Sequence, residues 1–203
     1  NRIGKIILGG IVVTEKKTPL YQNHLDAGAK MVEFGGWMMP VQYKGIIEEH
    51  NAVRNQAGLF DVSHMGEFTV KGKDAEAFIQ KLVTNDISIM KENQVQYSPM
   101  CYENGGTVDD LLIYKYADND YLLVVNGANI NKDWEWLQRN KGSFEVEMKD
   151  ISAEIALLAL QGPAAQKILA KLTDADLAGL VYYRFYPKVK IAGYEVLLSR
   201  TGY

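Results

Sequence analysis

Between residues 95 and 125 the apolar residues fall into three short runs, 95–102, 107–116 and 121–125, punctuated by Glu103-Asn104-Gly105-Gly106 and by Asp118-Asn119-Asp120. Asn-Gly supplies the positive backbone angles that a tight hairpin demands, so these runs are expected to pair as an antiparallel meander. Strands that arrive in hairpins, rather than singly between helices, direct the chain to an α+β fold with mainly antiparallel sheets and packed helices.

The segments on either side carry helical spacing. Thr18-Pro19 is expected to open a helix over residues 20–27, since threonine caps free amides and proline at a first helical position forfeits no bond. A Gly-rich turn follows at Gly35-Gly36-Trp37, and Ile46, Ile47, Val53 and Ala57 track one face of a helix that Gly58 would close in the left-handed conformation. Asp74 precedes Ala75, Phe78, Ile79 and Leu82, whose spacing of three and four makes one stripe. A further helix is expected over about residues 131–140, with Trp134 and Leu137 on one side. Residues 156–161 read as a strand, Gly162-Pro163 opens a helix with Ala165, Ile168, Leu169 and Leu172 on one face, and two last strands, 188–192 and 195–199, flank Gly193.

Composition narrows the function classes. Lys and Arg total 22 against 25 for Asp and Glu, and a net charge of -3 makes no basic field to gather nucleic acid or an anionic membrane. The single cysteine, Cys101, has no internal disulfide partner; it fits a reducing compartment and reads first as a small buried hydrophobe. The apolar run at residues 6–13 is too short to span a bilayer, holds Gly9-Gly10, and passes into Glu15-Lys16-Lys17 without a signal-peptide cleavage site. Residues 1–17 are therefore read as an extension that adds an edge strand. The chain begins without methionine and ends at Tyr203 directly after a strand-like run, and is expected to be a fragment of a longer protein.

No general catalytic motif is present: there is no Gly-x-Gly-x-x-Gly, Walker loop, His-Glu-x-x-His or Gly-x-Ser-x-Gly. His24, His50 and His64 are scattered and have no cysteine pair beside them, so no metal site is expected. Asp109-Asp110 is what packing explains least, because the two carboxylates interrupt a strand built from Val108, Leu111, Leu112 and Ile113. Alternation sends them to opposite faces, and one of them should share a surface with Leu112 and Tyr114. A carboxylate there suits proton handling or recognition of a ligand N–H; the competing reading is an edge strand with both acids solvated.

Several ordered words in the chain resemble the glycine cleavage T-protein family of aminomethyltransferases. They are Gly35-Gly36-Trp37-Met38-Met39-Pro40, Asp61-Val62-Ser63-His64-Met65-Gly66-Glu67, Tyr97-Ser98-Pro99-Met100, Gly105-Gly106-Thr107-Val108-Asp109-Asp110-Leu111, Val125-Asn126-Gly127-Ala128-Asn129, Gln161-Gly162-Pro163 and Arg200-Thr201-Gly202-Tyr203. They run from about residue 18 to the end, and correspond to that family's amino-terminal part. The resemblance implies the folate-binding fold of that family, truncated, with residues 18–64 and 152–203 in a discontinuous first domain and 65–151 as an inserted one. It further implies transfer of a one-carbon unit from the aminomethyl-lipoyl arm of the H protein to tetrahydrofolate, with release of ammonia, and no metal. The setting would be the cytoplasm of a bacterium or a mitochondrial matrix.

By the same resemblance Asp110 is the key carboxylate, which orients the pterin and controls its proton. Met65, Tyr97, Leu112, Val125, Asn126 and Tyr203 accompany it at the folate. A planar heterocycle is held by this combination of apolar faces and a few polar groups. The family's motif continues past Tyr203 into a glutamate and basic residues that this chain does not contain. Two other readings fit the same words: a folate-linked demethylase module, and a non-catalytic folate-binding relative.

Overall fold

The computed structural model describes residues 4–8 and 11–202. In chain order the elements are β1 (Gly4–Leu8), β2 (Ile11–Lys17), α1 (Tyr21–Asp26), β3 (Lys30–Phe34), β4 (Trp37–Gln42), α2 (Ile46–Asn55), β5 (Gly58–Asp61), β6 (Gly66–Lys71) and α3 (Ala75–Leu82). They continue with β7 (Gln94–Cys101), β8 (Thr107–Ala117), β9 (Asp120–Val125), α4 (Ile130–Asn140), β10 (Glu147–Asp150), β11 (Leu158–Gln161), α5 (Ala165–Leu169), β12 (Arg184–Ile191) and β13 (Tyr194–Arg200). The chain divides into two compact units, one holding the residues up to His64 with Ala156–Gln166, the other Met65–Ile155 with the residues from Lys167 onward.

The first unit contains a four-stranded sheet in the order β1-β2-β4-β3 and a separate antiparallel pair, β11 with β5. The extension thus adds two strands, since β2 pairs with β4 through Lys16 opposite Trp37. That pair is parallel, an exception to the antiparallel rule. The Gly-rich turn links β3 to β4, with Gly35 at φ 58° and Gly36 at φ 87°, the signature of a tight hairpin turn. These flanking strands escaped the sequence reading, because 30–34 and 37–42 alternate poorly. Two punctuation marks also act differently from expectation. Thr18-Pro19 stands one residue outside α1, where the Thr18 carbonyl accepts the Tyr21 N–H. Gly58 does not close α2, which ends at Asn55; it opens β5, and a β-carbon there would sit 2.5 Å from Val53 Cγ2.

The second unit is built on a seven-stranded sheet in the order β10-β6-β9-β8-β7-β12-β13, antiparallel at every pairing. Its centre is the expected meander β7-β8-β9. Residues from Lys167 onward group with this unit, whereas the resemblance assigned all of 152–203 to the first domain. The physical reason lies in the backbone: Val95 donates to the Tyr183 carbonyl at 2.9 Å, and Arg184 stands opposite Gln94, so β12 and β13 continue the sheet.

One face of this sheet carries the core. Phe68, Val70, Leu111, Ile113, Tyr121, Leu123 and Val125 meet the apolar stripe of α3, with Phe78, Ile79 and Leu82, and that of α4, with Ile130 and Leu137. Trp134 packs on Phe68 with ring centroids 5.0 Å apart. The approach of α4 to β6 needs a residue without a side chain at Gly66, where a β-carbon would lie 2.7 Å from Ile130 Cγ1 and 2.8 Å from Val125 Cγ2. Neither atom is the free end of a flexible side chain, so overpacking is expected. Gly66→Ala should lower unfolding stability by about 1–3 kcal/mol, read as a reduced midpoint in urea with an unchanged slope.

Candidate functional site

The face of the seven-stranded sheet opposite the core is where the sequence-derived candidates meet. Register sets out one cross-strand row: Glu67 on β6 faces Val124 on β9, which faces Leu112 on β8, which faces Tyr97 on β7. Two residues along β8, Asp110 lies opposite Pro99 on the same face, and in the other direction Tyr114 lies opposite Val95. Asp110 is exposed, Leu112 is half-buried, and Tyr97 keeps 44% of its surface open. Acid, aliphatic wall and aromatic ring therefore line one open stretch of sheet.

Asn126 closes the far side of Asp110. Just past the end of β9, its side-chain Nδ2 donates to the Asp110 carbonyl oxygen at 3.0 Å and to Asp110 Oδ1 at 3.3 Å. Met65, half-buried, immediately precedes β6 at the end where Gly66 pairs with Val125. Val125 itself is a correction to the expected set. Alternation turns its side chain into the core beside Ile113 and Phe68, fully buried, and the site face receives Val124 instead. Tyr203 lies outside the described residues.

Asp109 points inward, as alternation requires, but not into bare hydrocarbon. Its carboxylate accepts the Asn126 N–H at 3.2 Å, Asn126 Nδ2 at 2.9 Å and Asn129 Nδ2 at 2.7 Å. Burial by itself would raise the Asp109 carboxyl; hydrogen bonds from Asp133, Asn126 and Asn129 outweigh it and hold Asp109 below the usual carboxylate range. Asp133 on α4 is 0% exposed. Burial, followed by the hydrogen bond and charge of Asp109, pushes its carboxyl up to about 8.

Three further groups on this face were not singled out from the sequence. Glu67 is 3% exposed, and no donor among the described residues reaches either carboxyl oxygen. Burial, reinforced by the charge of Asp150, raises it to about 8. Tyr114, raised by burial, shares a hydrogen bond of 3.2 Å with Ser199 Oγ on β13. Tyr183, held at a φ of 59°, adds a ring whose electrostatic neighbours include Tyr114 and Tyr97. A signal for Glu67 existed: Gly66-Glu67-Phe68-Thr69-Val70 places a carboxylate inside a strand-like run, as at Asp109-Asp110. Tyr114 and Tyr183 carry no signal of their own in the sequence, and come together only when β12 and β13 join the sheet.

The histidines lie elsewhere. In the first unit, His24 is buried between Tyr43 Oη, 2.8 Å from Nδ1, and Asp61 Oδ2, 2.9 Å from Nε2. His64 meets the Phe34 ring edge-on at 6.1 Å, and burial lowers its pKa, which keeps it neutral. No group of three potential metal ligands occurs among the described residues.

Two buried carboxyls titrating near 8 have a thermodynamic consequence. Unfolded, they revert toward the ordinary values of 4.5 for Glu67 and 3.8 for Asp133, so between those values and about 8 the folded chain binds more protons than the unfolded one. Stability must then fall as pH rises through that window and level off above it. Glu67→Gln, which cannot ionise, should make the decline of the melting temperature between roughly pH 5 and pH 8 shallower than in the unmodified chain. Identical slopes in the two proteins would show that Glu67 is ionised throughout.

Residues 20–203 match the family model described as the GCVT N-terminal domain. Over 188 residues the chain is 59% identical to an aminomethyltransferase of Caldanaerobacter subterraneus subsp. tengcongensis, covering 93% of this chain and 50% of that one. It is 61% identical to an aminomethyltransferase of Moorella thermoacetica, covering 93% and 51%. Among solved structures, the glycine cleavage system aminomethyltransferase T from Bartonella henselae superposes with a TM-score of 0.84 at 33% identity, over 94% of this chain and 51% of that one. A heterotetrameric sarcosine oxidase from Corynebacterium sp. U-96 shares the fold, with a TM-score of 0.57 at 19% identity, over 92% and 82% of the two chains. The chain thus spans about half the length of the curated relatives it matches. A match along nearly the whole chain makes this protein a member of the GCVT N-terminal domain family.

Proposed function

We propose that the protein bearing this chain is a tetrahydrofolate-dependent aminomethyltransferase of glycine cleavage. It would take the aminomethyl group from the lipoyl sulfur of the H protein, release ammonia, and bridge the carbon between two nitrogens of tetrahydrofolate. In that exchange the carbon–sulfur and carbon–nitrogen bonds break and two new carbon–nitrogen bonds form. The two folate N–H protons leave with the thiol and the ammonium, so no oxidant is needed. The cofactor is the co-substrate itself, the partner is the lipoylated H protein, and the expected setting is a bacterial cytoplasm.

The observation that carries this reading is the Asp110–Asn126 pair on an open face walled by Leu112 and Tyr97. A pterin is flat, so it stacks against apolar and aromatic surface while its N–H edge seeks acceptors. Asp110 supplies a charged acceptor at the reacting end, where it orients the folate amine toward the electrophilic carbon and receives or holds its proton. Met65 and Leu112 would form part of the wall, and Tyr203 belongs to the same proposed folate-binding set. Val125 would contribute by packing beneath the site, and Val124 would stand in the wall.

Asp110→Asn keeps the shape and removes the charge. In the complete protein it should lower the rate of one-carbon transfer about 10²-fold or more, with the melting temperature held, because proton transfer by a placed side chain supplies roughly that factor. Unchanged turnover would remove Asp110 from the chemistry.

A further inference from the structure

The first unit is organised differently from the second. Its buried residues, among the described ones, are Thr18, His24, Asp61 and Ser63, and all four are polar. Buried polar groups persist where partners replace their water, so the contacts among them define the arrangement. The Asp61 carboxylate meets His24 Nε2 at 2.9 Å through Oδ2 and accepts the Ser63 N–H at 3.0 Å through Oδ1. On the other side of the ring, His24 Nδ1 lies 2.8 Å from Tyr43 Oη. Asp61 at the end of β5, His24 on α1 and Tyr43 just after β4 thus stand in line, carboxylate to imidazole to phenol. The proposed one-carbon transfer uses none of the three.

Partners fix the direction of this line. An ionised Asp61 can only accept, so Nε2 carries the ring hydrogen. Nδ1 of the neutral ring is then an acceptor, and the Tyr43 O–H is the donor that reaches it. The phenol is held from behind as well, because Glu49 Oε1 accepts the backbone N–H groups of Tyr43 and Lys44 at 2.7 Å each and of Gly45 at 3.0 Å. Tyr43 still keeps 41% of its surface open, so a reagent can reach it while Asp61 and His24 stay covered. Burial, followed by the charges of Glu49 and Asp61, raises the phenol. It therefore does not ionise unaided at neutral pH, and its proton has to pass to His24 as the oxygen forms a bond.

We propose that Asp61, His24 and Tyr43 form a proton relay that makes Tyr43 Oη a nucleophile toward activated acyl donors, and so a site of covalent modification. A nucleophile within hydrogen-bond reach of a base that a third group orients is the arrangement shared by acyl-transfer sites on unrelated folds. Tyr43 Oη attacks the acyl carbon, and its proton moves to His24 Nδ1. The bond from that carbon to the leaving group breaks, and the leaving group departs with the electron pair. Asp61 balances the imidazolium until its proton passes to water. The product is a tyrosyl ester, and nothing is oxidised or reduced.

The probe is p-nitrophenyl acetate, applied to the complete protein at neutral pH, with initial rates of acetylation at Tyr43 read by peptide mass spectrometry. N-acetyltyrosinamide under the same conditions gives the rate of a phenol without a relay, which an ordinary tyrosine does not exceed however open it is. Tyr43 should react about tenfold faster than that or more, a modest figure for assistance by a placed base. His24→Gln removes the base and should bring Tyr43 down to the rate of the free amide or below, while Tyr194, 76% exposed and outside the line, keeps its rate. Tyr43→Phe should leave that peptide without the label. A Tyr43 no faster than N-acetyltyrosinamide, or equally fast with and without the imidazole, would overturn the relay and leave the three residues as a fastening of α1 to β5. Should His24→Gln fail to fold, the comparison of the unmodified protein with N-acetyltyrosinamide decides alone.

Discussion

The pairing of β8 with β7 and β9 is the constraint on which the remainder hangs. Once Leu112 is opposite both Tyr97 and Val124, the twofold alternation of a strand leaves no freedom: Asp110 must face outward with Leu112, and Asp109 must face inward with Leu111. A slip of one residue would exchange the two acids, bury the one proposed to meet ligand and expose the one that holds Asn126. The hairpin at Asn104-Gly105, with Gly105 at φ 83°, and the bulge between Met100 and Cys101 pin this register at its open end.

From that register follows an unequal treatment of carboxyl groups. Asp110 stays in water on the site face, while Asp109, Asp133 and Glu67 are withdrawn from it. The cost of withdrawing them is met in different ways. Asp109 stays charged because N–H donors surround it, whereas Asp133 and Glu67 lack such donors and keep their protons instead. Buried polar networks of this kind stabilise little but specify one arrangement, and here the arrangement specified is that of the residue beside Asp110.

Local patterning made the meander, α3, α4 and the α+β class readable in advance, because each rests on a period that neighbouring residues state by themselves. Asp110, Leu112, Tyr97 and Asn126 were named only through ordered words shared with a known family, and it is the strand register that brings them together. The misreadings have a common origin. Gly58 was taken for a helix terminator, and its actual role is to let Val53 approach; Thr18-Pro19 was taken for a cap, and it stands a residue too early. Val125 was placed among the folate-binding residues by resemblance, and its side chain turns into the core, since a word shared with relatives marks a position but not the direction of its side chain.

Sequence alone therefore determined the strand periodicity, the adjacency of two acids on one strand, and a kinship that points to folate chemistry. Tertiary structure alone decided that β12 and β13 extend the sheet, that Glu67 shares a face with Tyr97, and that Asp133 on α4 is withdrawn from water altogether. The division has a physical basis. Periodicity is a property of bonds between neighbours, whereas the state of a carboxyl depends on which distant donors and apolar groups replace its water, and only the packed chain sets those distances.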